Sequence, residues 1–191
     1  MKKHLIITAS NIDQEYESRK NDYLLCLKSI SKMKNLFDSI TVIETHFNNY
    51  MNDYFNVWQG FNTYNNKGIN EFKNIEKFLK ESNINDNDII IKVTGRYEFL
   101  SDYFIQIINE YIDVYYKNSD DIYGPTDQGA HTFLFACRKN KLLEFIESLD
   151  LNSNDPIEWQ FRKFCENNFS YKVDKLDIVA KPFLKKGIYC V

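Results

Sequence analysis

Polar and charged residues follow several apolar runs of this sequence, and the best-defined group is the segment Lys92-Val93-Thr94-Gly95-Arg96-Tyr97. Its arginine can bind two anionic oxygens at once, and the glycine beside it allows a close approach to the backbone. Thr8 and Ser10 follow the first apolar run, Glu44 ends the second, and the turn Asn65-Asn66-Lys67-Gly68 opens a helical pattern. If they meet in the fold, these residues form a polar rim whose cations suit an anionic ligand.

The elements that must bring this rim together alternate along the first part of the chain. Apolar, β-branched runs predict strands, and apolar residues at helical spacing predict helices between them. The predicted strands span residues 4–9, 40–44, 88–93 and, more weakly, 57–61, and the predicted helices contain Tyr23, Leu24, Leu27 and Ile30 and then span Lys67–Glu81. This alternation predicts an α/β fold with a mainly parallel central sheet flanked by helices. Ligands bind such sheets at the carboxyl ends of the strands, where the polar rim is expected.

The order of elements is less regular in the second part of the chain. Ser101 can cap a helix that carries Phe104, Ile107, Ile108 and Tyr111. Further along, the patterns predict a strand over residues 132–137, helices from about residue 141 and over residues 156–167, and short strands near Tyr171 and Ile178. The chain shows no internal repeat and no low-complexity linker. We therefore expect a single domain over residues 1–191, with a change of character at about residue 120.

Composition excludes several kinds of partner. The net charge is -3 and the basic residues form no run, so nucleic acid is not an expected ligand. The apolar run of residues 5–9 is too short for a signal peptide or a membrane span, which predicts a cytoplasmic protein. The four cysteines lack CxxC spacing and are expected to be reduced.

Common cofactor motifs are also missing. Thr8-Ala9-Ser10-Asn11 follows the first predicted strand without the glycines of a dinucleotide-binding turn, and no GxxxxGK[ST] loop occurs in the sequence. Dinucleotide-dependent oxidoreductases, methyltransferases and P-loop enzymes are therefore disfavoured.

Two segments together resemble a known family. The run Asn66-Lys67-Gly68-Ile69-Asn70-Glu71, the helix after it, and the run from Asp88 to Tyr97 resemble the donor-binding region of GT-A-type glycosyltransferases, above all viral and bacterial members with a K-[IVL]-T-G-R-Y segment. The resemblance covers roughly residues 4–140. It implies a GT-A-like domain that moves a sugar from a nucleoside diphosphate sugar to a glycan or other hydroxyl acceptor, as in glycan biosynthesis. Residues 1–120 would then form the donor half and residues 121–191 the acceptor half.

The sequence departs from the family pattern at the metal motif. Metal-dependent GT-A enzymes carry a D-x-D motif at the carboxyl end of a strand, whereas Asp86-Asn87-Asp88 comes before the apolar run Ile89 to Val93 and should lie at the opposite edge. Thr94-Gly95-Arg96 stands at the matching position. We therefore expect no required cofactor, and a manganese or magnesium ion would depend mainly on phosphate oxygens. Arg96 is the first candidate for binding the diphosphate, with Lys92, Lys67 and Arg19 as helpers.

The acceptor half offers candidates for acid–base chemistry. In Asp155-Pro156-Ile157-Glu158-Trp159, Asp155 could cap a helix and Glu158 could complete a capping box. Alternatively, a carboxylate of this group enters the cleft and deprotonates the acceptor hydroxyl, in which case Glu158 is preferred over Asp155. His131 is a third catalytic candidate, although a structural histidine is the simpler interpretation.

Two other functions remain open at the level of sequence. A sugar-nucleotide pyrophosphorylase shares the expected fold but needs a glycine-rich loop after the first strand, and residues 8–14 contain no glycine. A non-catalytic nucleotide- or glycan-binding domain is the second alternative, and the missing metal motif favours it.

Overall fold

The computed structural model describes residues 1–10, 16–46, 50–124, 127–153, 155–180 and 189–190. Its strands are β1 (Lys3–Ala9), β2 (Ser39–Glu44), β3 (Asn56–Gln59), β4 (Ile89–Thr94), β5 (Glu98–Phe99), β6 (Val114–Tyr116), β7 (Leu134–Arg138), β8 (Ser170–Lys172), β9 (Ile178–Ala180) and β10 (Tyr189–Cys190). Its α-helices are α1 (Tyr16–Lys32), α2 (Lys67–Glu81), α3 (Tyr103–Ile107), α4 (Asp120–Tyr123), α5 (Lys139–Glu147) and α6 (Ile157–Glu166). Short 3-10 helices span Lys34–Leu36 and Tyr50–Asp53.

A seven-stranded sheet forms the centre of the molecule, in the order β3-β2-β1-β4-β7-β6-β8. The first four strands of this order are parallel, whereas β7 runs antiparallel to both β4 and β6, and β8 is parallel to β6. A small antiparallel sheet joins β10, β9 and β5. The predicted α/β fold with a mainly parallel, helix-flanked sheet is therefore confirmed.

The register of this sheet brings the ends of several strands to one edge. Ala9 lies opposite Glu44, and Thr8 lies opposite Thr94, so the carboxyl ends of β1, β2 and β4 meet. Because β7 is antiparallel, its amino end reaches the same edge, where Leu134 pairs with Val93. The residues just before β7 therefore join the residues just after β1 and β4.

The core lies on both faces of the sheet. Leu5 and Ile7 of β1 pack in one cluster with Tyr23 and Leu27 of α1, while Ile6 points to the opposite cluster. That second cluster is rich in aromatic rings from α2, α5, α6 and β7, which include Phe72, Phe145, Phe161 and Phe135. Alternation along a strand places successive side chains on opposite faces, so a strand covered on both sides is apolar throughout.

Two predictions about elements need correction. The helix expected to run from Ser101 to Tyr111 ends at Ile107, and Ser101 is not its N-cap residue, a position held by Asp102. The aromatic, β-branched run after it forms β6, a strand that was not predicted, and pairing of β6 with β7 requires the chain to leave the helix early. The strand expected over residues 132–137 begins two residues later, at Leu134.

Three cysteines, Cys26, Cys137 and Cys165, are buried and unbridged, as predicted. Burial raises the pKa of each of these thiols, so they remain protonated and act as packing residues. Within the described ranges, no helix is long and apolar enough to cross a membrane.

Candidate active site

A cleft of about 680 Å³ opens at the edge of the sheet where the carboxyl ends of β1, β2 and β4 meet. The elements around it are the ends of β1, β2 and β4, the segment between β3 and α2, the approach to β7, and the first turn of α6. Of the candidate donor-binding and catalytic residues, those that line the cleft are Thr8, Ser10, Arg19, Lys67, Gly68, Thr94, Arg96 and Glu158. The other candidates do not line the cleft.

Arg96 follows β4 in a tight turn, in which the Tyr97 N–H donates to the Thr94 carbonyl at 3.2 Å. The side chain is half-buried and lines the cleft. In the part of the chain that the structure describes, no carboxylate forms an ion pair with its guanidinium. A half-buried arginine without a carboxylate partner keeps its fork of donors available for a bidentate anion.

The turn after β1 is held by α1. The Arg19 guanidinium donates to the Ser10 carbonyl at 2.9 Å, and the Tyr23 hydroxyl accepts from the Ser10 N–H at 2.9 Å. Ser10 Oγ also lies 3.2 Å from Nδ1 of His46, which follows β2 and lines the cleft. Burial raises the pKa of Tyr23, and the Glu44 charge adds to this, whereas the Ser10 hydrogen bond and the Arg96 and Arg19 charges oppose it. Tyr23 therefore stays neutral and acts as a hydrogen-bonding support.

Lys92 does not line the cleft, which corrects its expected role as a helper in diphosphate binding. Its ammonium is fully buried and donates to Thr94 Oγ1 at 2.9 Å, to the Thr132 carbonyl at 2.6 Å and to Glu71 Oε1 at 2.9 Å. These three partners use all three ammonium hydrogens, so none remains for a phosphate. The Thr8 hydroxyl donates to the same Glu71 oxygen.

No role for Glu71 was predicted from the sequence, although the sequence contains a signal for it. Lys92 interrupts a strand that is otherwise apolar and buried on both sides, and a buried lysine needs a carboxylate partner. That partner comes from α2, in which Glu71 is a quarter exposed and lines the cleft.

Glu158 enters the cleft from the first turn of α6. Its carboxylate accepts from Thr132 Oγ1 at 3.1 Å, and its backbone carbonyl accepts from the Ala130 N–H at 3.1 Å. The side chain is half-buried. Glu158 therefore presents a carboxylate to the cleft from the second part of the chain.

The structure does not support the other two catalytic candidates. Asp155 is exposed and lines a separate groove between α5 and α6, and the N-cap residue of α6 is Pro156, so Asp155 is not the cap either. His131 is buried and stacks on Phe133 with ring centroids 4.3 Å apart. Neither side chain lines the cleft.

Three predicted donor-site residues have structural roles instead. Glu44 is completely buried and accepts from the His46 N–H at 2.8 Å, so a ligand hydroxyl does not reach it. Gly95 does allow a close approach, but the group that approaches is the Tyr23 ring, which a Cβ atom would meet at 2.9 Å. Asn66 is the N-cap residue of α2 and accepts from the N–H groups of Gly68 and Ile69.

The segment between β3 and α2 contributes Asn62, Tyr64 and Asn65 to the cleft, and only the last of these was considered in the sequence. Two buried asparagines of α2 hold this segment. Asn74 accepts from the Phe61 N–H at 2.9 Å and donates to the Phe61 carbonyl at 2.8 Å, and Asn70 accepts from the Thr63 N–H at 2.9 Å. Helical spacing alone marked this face of α2 as apolar, which is why its two asparagines escaped notice.

The position of Asp88 agrees with the prediction that the D-x-D sequence faces away from the ligand. Asp88 precedes β4 and accepts from the Lys2 N–H at 2.9 Å, at the amino edge of the sheet. The cleft itself offers the carboxylates of Glu71 and Glu158, and Glu71 is already bound to Lys92. Across the described ranges, no group of three His, Cys, Asp or Glu side chains could hold a metal ion. This donor set does not fit a divalent ion held by the protein alone.

No model of a known protein family matches this sequence, and no curated protein matches it. The fold, however, is similar to solved structures. One is 4-diphosphocytidyl-2C-methyl-D-erythritol synthase from Anaerococcus prevotii DSM 20548, with a TM-score of 0.59 and 15% identity over 90% of this chain and 86% of that chain. Another is 2-C-methyl-D-erythritol 4-phosphate cytidylyltransferase from Francisella tularensis, with a TM-score of 0.50 and 16% identity over 77% of each chain.

A third structure is a protein from Desulfovibrio desulfuricans G20 assigned as a nucleotide-diphospho-sugar transferase, with a TM-score of 0.52 and 8% identity over 90% of this chain and 79% of that chain. At these identities the similarity concerns the fold alone. The chain therefore has the fold that these nucleotidyl- and sugar-transferase structures share, and a shared fold does not determine its chemistry.

Proposed function

We propose that this protein is a glycosyltransferase that moves a sugar from a nucleoside diphosphate sugar to a hydroxyl group of a glycan or another acceptor. The observation that carries the proposal is Arg96, a half-buried arginine that lines the cleft and has no carboxylate partner within the described ranges. The diphosphate would lie against this guanidinium, and Arg19 and Lys67 also line the cleft. A bidentate guanidinium matches phosphate geometry and offsets the charge that develops on the leaving diphosphate.

Glu158, which lines the same cleft, would act on the acceptor. As the acceptor oxygen bonds to the anomeric carbon, the bond between that carbon and the diphosphate breaks and its electron pair leaves with the diphosphate. The acceptor proton passes to the Glu158 carboxylate, which Thr132 orients through its hydroxyl. The cations would therefore stabilise the leaving diphosphate, and Glu158 would take the proton of the attacking hydroxyl, in one displacement.

A non-catalytic nucleotide-binding domain is the competing function, and the absence of paired carboxylates after β4 favours it. The sequence there is Thr94-Gly95-Arg96, so any bound metal ion would need ligands from the substrate. A protein of this kind would use the same cations to bind a nucleotide and would leave the sugar bond intact.

Calorimetric titration with uridine, cytidine, guanosine and adenosine diphosphates, followed by assays of donor hydrolysis and sugar transfer, separates the two functions. We expect one diphosphate to bind and the matching sugar nucleotide to turn over. Binding without turnover on any acceptor would favour the non-catalytic function. No binding of any diphosphate would rule out both.

A further inference from the structure

A chain of hydrogen bonds, which passes through the backbone and side chain of Thr132, links the two carboxylates of the cleft. Glu71 Oε1 accepts from Thr8 and from Lys92 Nζ, and Lys92 Nζ also donates to the Thr132 carbonyl. The hydroxyl of Thr132 then donates to Glu158. Lys92 is completely buried, so this chain lies beneath the ligand space and its two carboxylates border that space.

The two carboxylates differ in charge balance. Glu71 is paired with the Lys92 ammonium at 2.9 Å, whereas no lysine or arginine among the described residues forms an ion pair with Glu158. Both hydrogen bonds to Glu71 use Oε1, and no described residue bonds its other oxygen, Oε2. A carboxylate with a compensated charge and one open oxygen is a good acceptor for an uncharged O–H donor, but its remaining lone pairs repel a phosphate.

Position decides which part of the ligand meets this oxygen. Glu71, Arg96 and Glu158 all line the cleft. The Lys92 ammonium joins Glu71 to Thr94, two residues before Arg96, and to Thr132, whose hydroxyl donates to Glu158. If Arg96 binds the diphosphate and Glu158 activates the acceptor, the group between them is the transferred sugar. We propose that Glu71 Oε2 accepts a hydrogen bond from a hydroxyl group of that sugar and that Glu71 therefore selects the donor sugar. This inference rests on the proposed function and adds a specificity residue to it.

The buried lysine has a positioning role in this arrangement. It fixes the rotamer of Glu71, offsets its charge, and bonds the backbone of the residue that orients Glu158. Removal of the Glu71 charge alone would leave the Lys92 ammonium buried without a counter-ion, which is strongly destabilising. A test therefore needs both the single variant Glu71→Gln and the charge-balanced double variant Glu71→Gln with Lys92→Met.

The experiment measures dissociation constants by calorimetry for three probes. The first probe is uridine diphosphate. The second is whichever of UDP-glucose, UDP-galactose and UDP-N-acetylglucosamine binds most tightly. The third is the set of monodeoxyfluoro analogues of that sugar nucleotide, in which fluorine replaces one hydroxyl. If another nucleoside diphosphate binds the wild-type protein better, its sugar nucleotides replace these probes. We expect Glu71→Gln to weaken the sugar nucleotide about tenfold or more and to leave the nucleoside diphosphate nearly unchanged. The penalty should vanish for one deoxyfluoro analogue, the one that lacks the hydroxyl bound by Glu71.

Glu76→Gln is the matched control, because Glu76 lies on the same helix and pairs with Lys73 and Lys80 outside the cleft. It should change neither affinity. If Glu71→Gln does not fold, the double variant is measured in its place and should show the same dependence on the analogue. If Glu71→Gln changes the affinity for every analogue equally, or changes none, Glu71 does not select the sugar. Nucleotide binding by the wild-type protein would still support the proposed function. Failure of the wild-type protein to bind any sugar nucleotide would overturn the proposed function and this inference with it.

Discussion

At the scale of single residues, Arg96 is the side chain on which phosphate binding depends most directly. We expect Arg96→Ala to weaken binding of a nucleoside diphosphate sugar by about 1.5 to 3 kcal/mol, the range for a hydrogen bond to a charged group. The affinity for the bare nucleoside should change little, because the guanidinium contacts phosphate only. Calorimetry at constant ionic strength measures both values, since salt screens such contacts.

The control for this substitution is Arg162→Ala. Arg162 pairs with Glu166 at 2.8 Å on α6 and does not line the cleft, so its loss should leave nucleotide affinity unchanged. Equal losses of affinity for sugar nucleotide and nucleoside in Arg96→Ala would show that Arg96 supports the fold instead.

The second prediction for a single residue concerns Glu158. Glu158→Gln keeps the shape of the side chain and its contact with Thr132 but removes the base, so the turnover number should fall about a hundredfold or more. Affinity for the donor sugar nucleotide should remain close to the wild-type value, because Glu158 takes a proton from the acceptor substrate and not from the donor. Asp155→Asn, in an exposed residue of the neighbouring groove, serves as the control and should keep full activity. Wild-type turnover in Glu158→Gln would assign the base to another residue.

At the scale of elements, α2 holds the segment before it through Asn74, which has no exposed surface. Asn74→Ala leaves the Phe61 N–H without its side-chain partner, and the Phe61 carbonyl keeps only the hydrogen bond from the Asn70 amide at 3.1 Å. We expect a loss of about 1 to 3 kcal/mol in the free energy of unfolding, the usual cost of unsatisfied buried polar groups. Nucleotide affinity should fall as well, because the same segment brings Asn62 and Tyr64 to the cleft. Urea unfolding and calorimetry measure the two effects.

Asn83→Ala is the comparison for this variant, since Asn83 is an exposed asparagine just beyond the end of α2. It should change neither quantity. Unchanged nucleotide affinity in Asn74→Ala, despite lower stability, would show that the segment does not position the ligand.

At the scale of the whole molecule, Asp88 joins the amino edges of β1 and β4 and makes stability depend on pH. Burial alone would raise the pKa of Asp88, but hydrogen bonds from the Lys2 N–H, Asn85 and His4 outweigh it, and the pKa lies below its ordinary value. The unfolded chain then binds a proton more readily than the folded one. The stability from Asp88 is therefore present above the unfolded pKa and lost as the pH falls through the folded pKa, below about pH 4.

Asp88→Asn should accordingly reduce the dependence of the free energy of unfolding on pH between about 5 and 3, in urea titrations at several pH values. Asp86→Asn, whose side chain is three-quarters exposed, should leave this dependence nearly intact. The same slope in the wild type and in Asp88→Asn would mean that other carboxylates control acid unfolding.

The last prediction, that transfer does not require a metal ion, follows from the charges that line the cleft. Since the cleft lacks paired carboxylates after β4 and places Arg96 there instead, we expect transfer activity to persist in excess EDTA. Turnover assays with EDTA, and then with added manganese or magnesium, test this expectation. Complete loss with EDTA and full recovery with manganese would reveal a ligand set that includes residues beyond the described ranges or the substrate phosphates.

The sequence by itself determined the features that depend on local pattern. Alternating apolar runs and helical spacing predicted β1, β2, β4 and the full extent of α2, and the position of each polar segment relative to its strand predicted that Thr8, Thr94 and Arg96 share one edge. These inferences succeeded because strand direction, side-chain alternation and the carboxyl-edge rule follow from backbone geometry alone. The absence of a D-x-D motif after β4 was visible for the same reason.

Only the tertiary structure decided which polar side chains reach the cleft and which are used inside the protein. Glu44 and His131 are adjacent in sequence to cleft residues, but both side chains are buried. Lys92 donates its three ammonium hydrogens to Thr94, Thr132 and Glu71. Glu71 and Thr132 are distant from Lys92 along the chain, and their meeting depends on the packing of α2 and on the antiparallel direction of β7. Contacts of this kind have no local signature, because a buried charge requires a partner without specifying where in the chain that partner lies.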